Sequence, residues 1–232
     1  MSWDEVAAAL TPERIVIVPI GAFAKEHGRH LPMNTDALTA QTLSVAAAER
    51  LDALVAPVVG FGFYPAFIRY AGSQSLSEAT FAALLGDVLC GLADQGAQRL
   101  LLVNTGVSTM RTVDQAAFGV GRDTGARIAV THTASIALDI DWGQRQGGHA
   151  DERETSLMLA IAADVVRMDR AENAETDVSE MGKFPLSPWP DAQAQHSPSG
   201  GTGDPTLATA EKGRAYLEAL IAAIVASGRQ LA

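Results

Sequence analysis

The 232-residue sequence contains a single cysteine, Cys90, so no intrachain disulfide can form. Cys90 falls in an apolar, helix-like stretch, where a thiol is expected to pack as a small hydrophobe. Positive charge is in the minority. The formal net charge is −10, and no Lys/Arg cluster offsets it locally. A chain of that sign repels phosphate backbones, which argues against nucleic acid as a partner. No apolar run nears the ~18 residues of a membrane helix, so no membrane association is expected. The opening Met1-Ser2-Trp3-Asp4-Glu5 lacks the basic stretch of a secretory leader, and a cytoplasmic location is expected. There is no internal repeat, and no low-complexity tract beyond Ser197–Gly203.

What is present is 47% apolar residues in a length that suits one α/β domain over 1–232. Arg14 to Ile20 is a continuous, β-branched run closed by Gly21, the pattern of a strand covered on both faces. Leu54 to Val59, Arg99 to Asn104 and Ala126 to Thr131 read the same way. Helical patterns cover 2–10, 36–51, 109–122, 151–163 and 208–227. Ser75-Leu76-Ser77-Glu78 has the spacing of a capping box opening a helix to about Asp94. Residues 60–74 hold five aromatics among glycines and a proline and read as a loop. Residues 170–207 read as a long loop or flap over the site. Short buried strands alternating with helices give βαβ units, hence a three-layer α/β sandwich with a four-stranded, mainly parallel sheet.

In such a sheet, ligands gather at the carboxyl ends of the strands. Two clusters lie there. After the first strand, residues 21–36 pack Glu26, His27, His30 and Asp36 into eleven positions. Imidazole and carboxylate are the ligand set of Zn²⁺, Mn²⁺ and Fe²⁺. A polar loop with Asp36 as the N-cap of the next helix is the simpler alternative. After the fourth strand come His149, Asp151, Glu152 and Glu154, where His149 and Glu152 would share a face if helical. An acidic first helical turn explains that cluster equally well. Gly60-Phe61-Gly62 lacks the third glycine of a dinucleotide fingerprint. The surroundings of Ser108 lack the second glycine of a nucleophile elbow. His132 and His196 read as structural or solvated. Of Trp3, Trp142 and Trp189, only the last two fall in segments expected near the site.

The run from Val18 to Ala37 (VPIGAFAKEHGRHLPMNTDA), then Tyr64-Pro65, Gly72-Ser73, Asn104 and the block His149–Ser156 together resemble the creatininase (creatinine amidohydrolase) family. Gly203-Asp204-Pro205 and Ala208–Gly213 add to the likeness, which spans nearly the whole chain. The resemblance implies a creatininase-like sandwich, a homohexamer, and a centre of one or two divalent ions (Zn, Mn or Fe) that hydrolyses a small cyclic amide or related C–N bond. Position by position, the resemblance implies that His27 and Asp36 are metal ligands, with Asp36 bridging two ions, that His149 is catalytic or supports a ligand, and that Glu152 and Glu154 are acidic positions beside it. The expected site then has Glu26, His27, Asp36 and Glu152 on metal, with His149 and Glu154 catalytic and His149 moving the proton to the leaving nitrogen. His30, Tyr64, Ser108 and Trp142 contact the small-molecule substrate.

Two departures stand out. The family's ligand Glu, two residues before the ligand His, is here Lys25, with Glu26 able to return through a one-residue bulge. The metal-binding His after the third strand is missing from Asn104-Thr105-Gly106-Val107-Ser108-Thr109. They open an alternative: a metal-free member that binds a small metabolite, with Lys25 paired to Asp36 or Glu152. A non-hydrolytic metalloenzyme built on the same ligands is a third reading.

Overall fold

The computed structural model describes residues 1–136, 139–175 and 197–232. Four strands, β1 (Ile15–Ile20), β2 (Leu54–Val55), β3 (Arg99–Asn104) and β4 (Arg127–His132), form one parallel sheet in the order β2-β1-β3-β4. Among the described residues the α-helices are α1 (Trp3–Ala9), α2 (Thr35–Leu51), α3 (Glu78–Asp94), α4 (Met110–Thr124), α5 (Glu152–Ile161) and α6 (Ala210–Arg229). None of them is long and apolar enough to cross a membrane.

Every residue of β1 is buried, as a central strand in a three-layer structure requires. Its side chains alternate between two cores. Ile15 and Ile17 join Leu43, Leu101, Val103, Ile221 and Ile224 on the face covered by α2 and α6. Val16, Val18 and Ile20 join Phe81, Leu85, Leu100, Leu102 and Val113 beneath α3 and α4. Leu101→Ala, at a side chain with no solvent exposure, is expected to cost about 2–5 kcal/mol in urea unfolding. A loss under 1 kcal/mol would mean that this core closes over the gap.

Three local expectations need correction. The second strand does not run to Val59. It stops at Val55, and Val59 makes only an isolated parallel bridge to Ile20, because Pro57 has no N–H to donate to the ladder. The capping box at Ser75 does not form. Ser77 caps α3, its Oγ accepting from the Thr80 N–H, while Ser75 Oγ accepts from the Tyr64 N–H. The N-cap of α2 is Asn34, which moves Asp36 inside the first turn.

Much of the aromatic loop folds over its own core. Tyr64 is buried and Phe63 packs on the α3/α4 cluster, leaving Phe61 exposed. Cys90 is half-buried against the same cluster. Helices α5 and α6 approach so closely that a Cβ on Gly213 would lie 1.8 Å from the Ser156 carbonyl oxygen. Gly213→Ala should therefore cost about 1–3 kcal/mol of stability. This contact fixes the start of α5, which carries half of the site.

Candidate active site

The loop leaving β1 supplies Lys25, Glu26 and His27, and the first turn of α2 supplies Asp36. The turn before α5 supplies His149, and the first turn of α5 supplies Glu154. Asp151 sets that turn by accepting from the N–H groups of Arg153 and Glu154 at 2.9 and 3.0 Å. Ala150 sits in the left-handed region at φ 48°, and its N–H donates to Glu154 Oε2 at 2.6 Å. A non-glycine residue rarely adopts that backbone, so the Glu154 carboxylate holds the bend that turns His149 inward.

Lys25 Nζ lies 2.7 Å from Asp36 Oδ2, with the two side chains 7% and 3% exposed. Asp36 Oδ1 is 3.0 Å from His27 Nε2. Burial opposes the Asp36 charge, yet Lys25 and His27 together hold its carboxyl well below the carboxylate range. His27 Nδ1 lies 2.9 Å from the Lys25 carbonyl oxygen, which can only accept. Nδ1 therefore carries a hydrogen, and Nε2 meets the carboxylate oxygen with either a second proton or a cation between them.

Glu26 stands behind His149, with Oε2 3.0 Å from His149 Nε2. Its other oxygen accepts from the Gly28 N–H. The second ring nitrogen of His149, Nδ1, is 3.7 Å from Glu154 Oε2. Burial pushes the Glu154 carboxyl up, against the opposing pull of His149 and Lys25. Donor atoms of His27, His149 and Glu154 all fall within 4.8 Å of one another. Two imidazoles and a carboxylate at that spacing can hold a divalent ion. The Glu26 carboxylate on the far ring nitrogen of His149 is the arrangement that aims an imidazole ligand.

The group opens into a cavity of about 270 Å³ walled by Lys25, Phe67, Tyr70, Val107, His149 and Glu154. The Phe67 ring is 4.6 Å from the His149 ring and 4.8 Å from Lys25 Nζ. Tyr70 donates from its hydroxyl to the Ser197 carbonyl at 2.9 Å, and burial pushes its phenol up to about 12. At Gly200, with φ +84°, a Cβ would fall 2.0 Å from Glu26 Oε1. Only glycine lets this segment lie on Glu26.

The structure separates the other site expectations. Glu152 does not face His149. Asp151 caps α5 at its first turn, so His149 precedes the helix and Glu154, rather than Glu152, comes beside it. Glu152 is fully buried, salt-bridged to Lys212, and accepts from the Gln144 N–H at 2.7 Å. Burial opposes its charge, but these partners hold its carboxyl low. His30 is buried and bonded through Nε2 to Thr155 Oγ1 at 2.8 Å, tying the loop to α5 away from the cavity wall. Tyr64 is buried beneath Lys25, with its ring centroid 5.7 Å from Nζ. Trp142 stacks edge-on against Tyr216 at 5.5 Å, away from the cavity.

Ser108 does line the cavity, although its hydroxyl donates to the Phe63 carbonyl at 2.8 Å. His132 lies 2.9 Å from Asp114 and 3.0 Å from the Asn104 amide. Trp189, His196 and residues 176–196 of the expected flap lie outside the described residues. Sequence reasoning missed Phe67, Tyr70 and Gly200 as site residues. Their signal was the crowding of aromatics just after the second strand and the glycines around 200.

The creatininase family model, described as creatinine amidohydrolase, matches residues 1–227. Creatinine amidohydrolase of Pseudomonas putida is 25% identical, covering 99% of this chain and 95% of that protein. The mycofactocin precursor peptide peptidase of Mycobacterium ulcerans is 29% identical, covering 86% of this chain and 78% of its own length. Among solved structures, a tryptophan-to-phenylalanine variant of creatininase superposes with a TM-score of 0.82 at 26% identity, covering 99% and 96% of the two chains. A creatininase variant described as the Zn-Zn type gives 0.80 at 25% identity, covering 99% and 95%.

Proposed function

The chain belongs to the creatininase family, and from that premise we propose that it hydrolyses a C–N bond in a small amide or short peptide, with one divalent ion held by His27, His149 and Glu154. The observation that carries this reading is the convergence of those three donors on one cavity at the carboxyl end of the sheet. The donor set fits a single Zn²⁺ or Mn²⁺ ion, the class to which imidazole and carboxylate belong. Held by His27, His149 and Glu154, such an ion would polarise the carbonyl oxygen of the scissile bond as a Lewis acid. Glu26 fixes the ring of His149, which makes it an orienting residue rather than a ligand. His149 thereby passes from proton carrier to ion donor. Phe67, Val107 and Tyr70 give the cavity walls their apolar surface. The reacting part of a small lactam or of a peptide is small against this cavity, and the relatives include a creatinine amidohydrolase and a precursor peptide peptidase.

The test is metal analysis of protein purified without chelator or affinity metal, with turnover on small lactams and dipeptides. About one ion per chain is expected. His149→Ala and Glu154→Gln should each empty the site. Glu26→Gln should weaken metal affinity about 10–100-fold, as loss of an outer partner does. Metal-free protein with no turnover would overturn the reading.

A second reading, small-molecule binding without hydrolysis, is favoured by one contact: the buried Lys25–Asp36 pair, which puts an ammonium beside the donors. Absence of metal combined with saturable ligand binding would select it. The proposal also carries self-association to a hexamer, supported by Phe61 and Ile68, which remain 49% and 48% exposed on the aromatic loop. Sedimentation as a stable monomer of 24.3 kDa at micromolar concentration would reject that part.

A further inference from the structure

We propose that the ammonium of Lys25 is a resident cation seated on Asp36, so that the cleft accepts at most one metal ion and meets a carbonyl or carboxylate oxygen of its ligand with a lysine. The inference rests on the single-ion reading above for the second cation seat.

Lys25 takes one oxygen of Asp36: Oδ2 faces Nζ at 2.7 Å, while Oδ1 lies 3.0 Å from His27 Nε2, on the side of the proposed ion. Oδ2 has no aligned hydrogen bond from any described residue, so the ammonium is what meets its charge. A carboxylate occupied in this way cannot bridge two ions without expelling Lys25 into apolar surroundings.

The opposite wall cannot seat a second ion without Asp36. The turn after β3 presents Thr105, Val107 and Ser108 to the cavity. It offers no imidazole, carboxylate or thiolate there, and the Ser108 hydroxyl is already donating to Phe63. Asn104 is turned away, bonded to Gly106, Thr109 and His132.

Lys25 itself lines the cavity. An ammonium has three donors, and one points at Asp36. The ring of Phe67, 4.8 Å away, stabilises the charge through its face without using a donor. The remaining N–H groups suit an oxygen that carries full or partial negative charge. An amide bearing a nearby carboxylate would satisfy both Lys25 and an ion on the neighbouring donors.

The experiment is titration of metal-stripped protein with Mn²⁺, reading bound equivalents and the electron paramagnetic resonance line shape. The parent is expected to bind one equivalent with an uncoupled signal. Lys25→Glu should bind one equivalent more and show the broadening of a coupled pair. Should that variant not fold, Lys25→Ala, which frees Asp36 without adding charge, should still gain Mn²⁺ uptake over the parent. Two equivalents in the parent would overturn the inference, as would folded variants that bind no more Mn²⁺ than the parent. A parent that binds none, with Lys25→Glu binding one, would uphold the Lys25 seat and overturn the single-ion hydrolase. Turnover by a parent holding two bound ions would overturn the Lys25 seat and the single-ion count while leaving C–N hydrolysis standing.

Discussion

Lys25→Met is expected to lower the unfolding free energy by about 3–5 kcal/mol, the range for removing one partner of a buried ion pair. The cause is not the lost attraction alone. Asp36 is 3% exposed and one of its oxygens has no aligned hydrogen bond, so removing the ammonium strands a carboxylate in a low-dielectric pocket. The double variant Lys25→Met with Asp36→Asn removes both charges and should recover most of the loss. Urea unfolding of the four proteins in the cycle gives the coupling directly, provided the m-value is unchanged. A loss below 1 kcal/mol for Lys25→Met would show that water reaches the pair and screens it.

A second large effect concerns acid. Burial, assisted by His27 and His149 and opposed by Glu26, lowers the pKa of His30 to about 4 from an ordinary 6.5. The unfolded chain therefore takes up a proton near pH 6.5, whereas the folded protein refuses it until about pH 4. Stability from this group is complete above the unfolded value and is lost as pH falls from there towards 4. A displacement of that size is worth about 3 kcal/mol in all. His30→Gln keeps a polar partner for Thr155 and cannot titrate. Its unfolding free energy at pH 4.5, compared with neutral pH, should fall less than the parent's by about 2–3 kcal/mol. Equal losses in the two proteins would place the acid sensitivity elsewhere.

Much of the fold was legible in the residues. The buried run of β1, the Leu-rich β3 and the spacing of helices between strands fixed a parallel sheet, because only a strand covered on both faces tolerates unbroken apolar sequence. The same pattern pointed to the carboxyl edge for a candidate site, and the histidines and carboxylates there were its candidate ingredients. Local breaks were harder to read. Pro57 ended β2 early, and Ser77 rather than Ser75 capped α3, since a cap is chosen by where the backbone turns and not by spacing alone.

Which ingredients meet was a tertiary outcome. By sequence, His149 and Glu152 were natural partners, yet a bend at Ala150 and a cap at Asp151 place His149 outside the helix and turn it towards Glu154. Glu152 instead finds Lys212, sixty residues further on, brought there by the packing of α5 on α6. Lys25 announced a departure in the sequence, but its direction did not follow from the letters. Adjacent loop residues can face opposite ways, and here Lys25 points to Asp36 while Glu26 points to His149. The sequence by itself determined the sheet, its buried strands and the edge at which chemistry-bearing residues collect, because periodicity and hydrophobicity act locally. The tertiary structure decided which charges pair, because a buried charge is settled by whatever partner the packing of distant elements brings within about 3 Å.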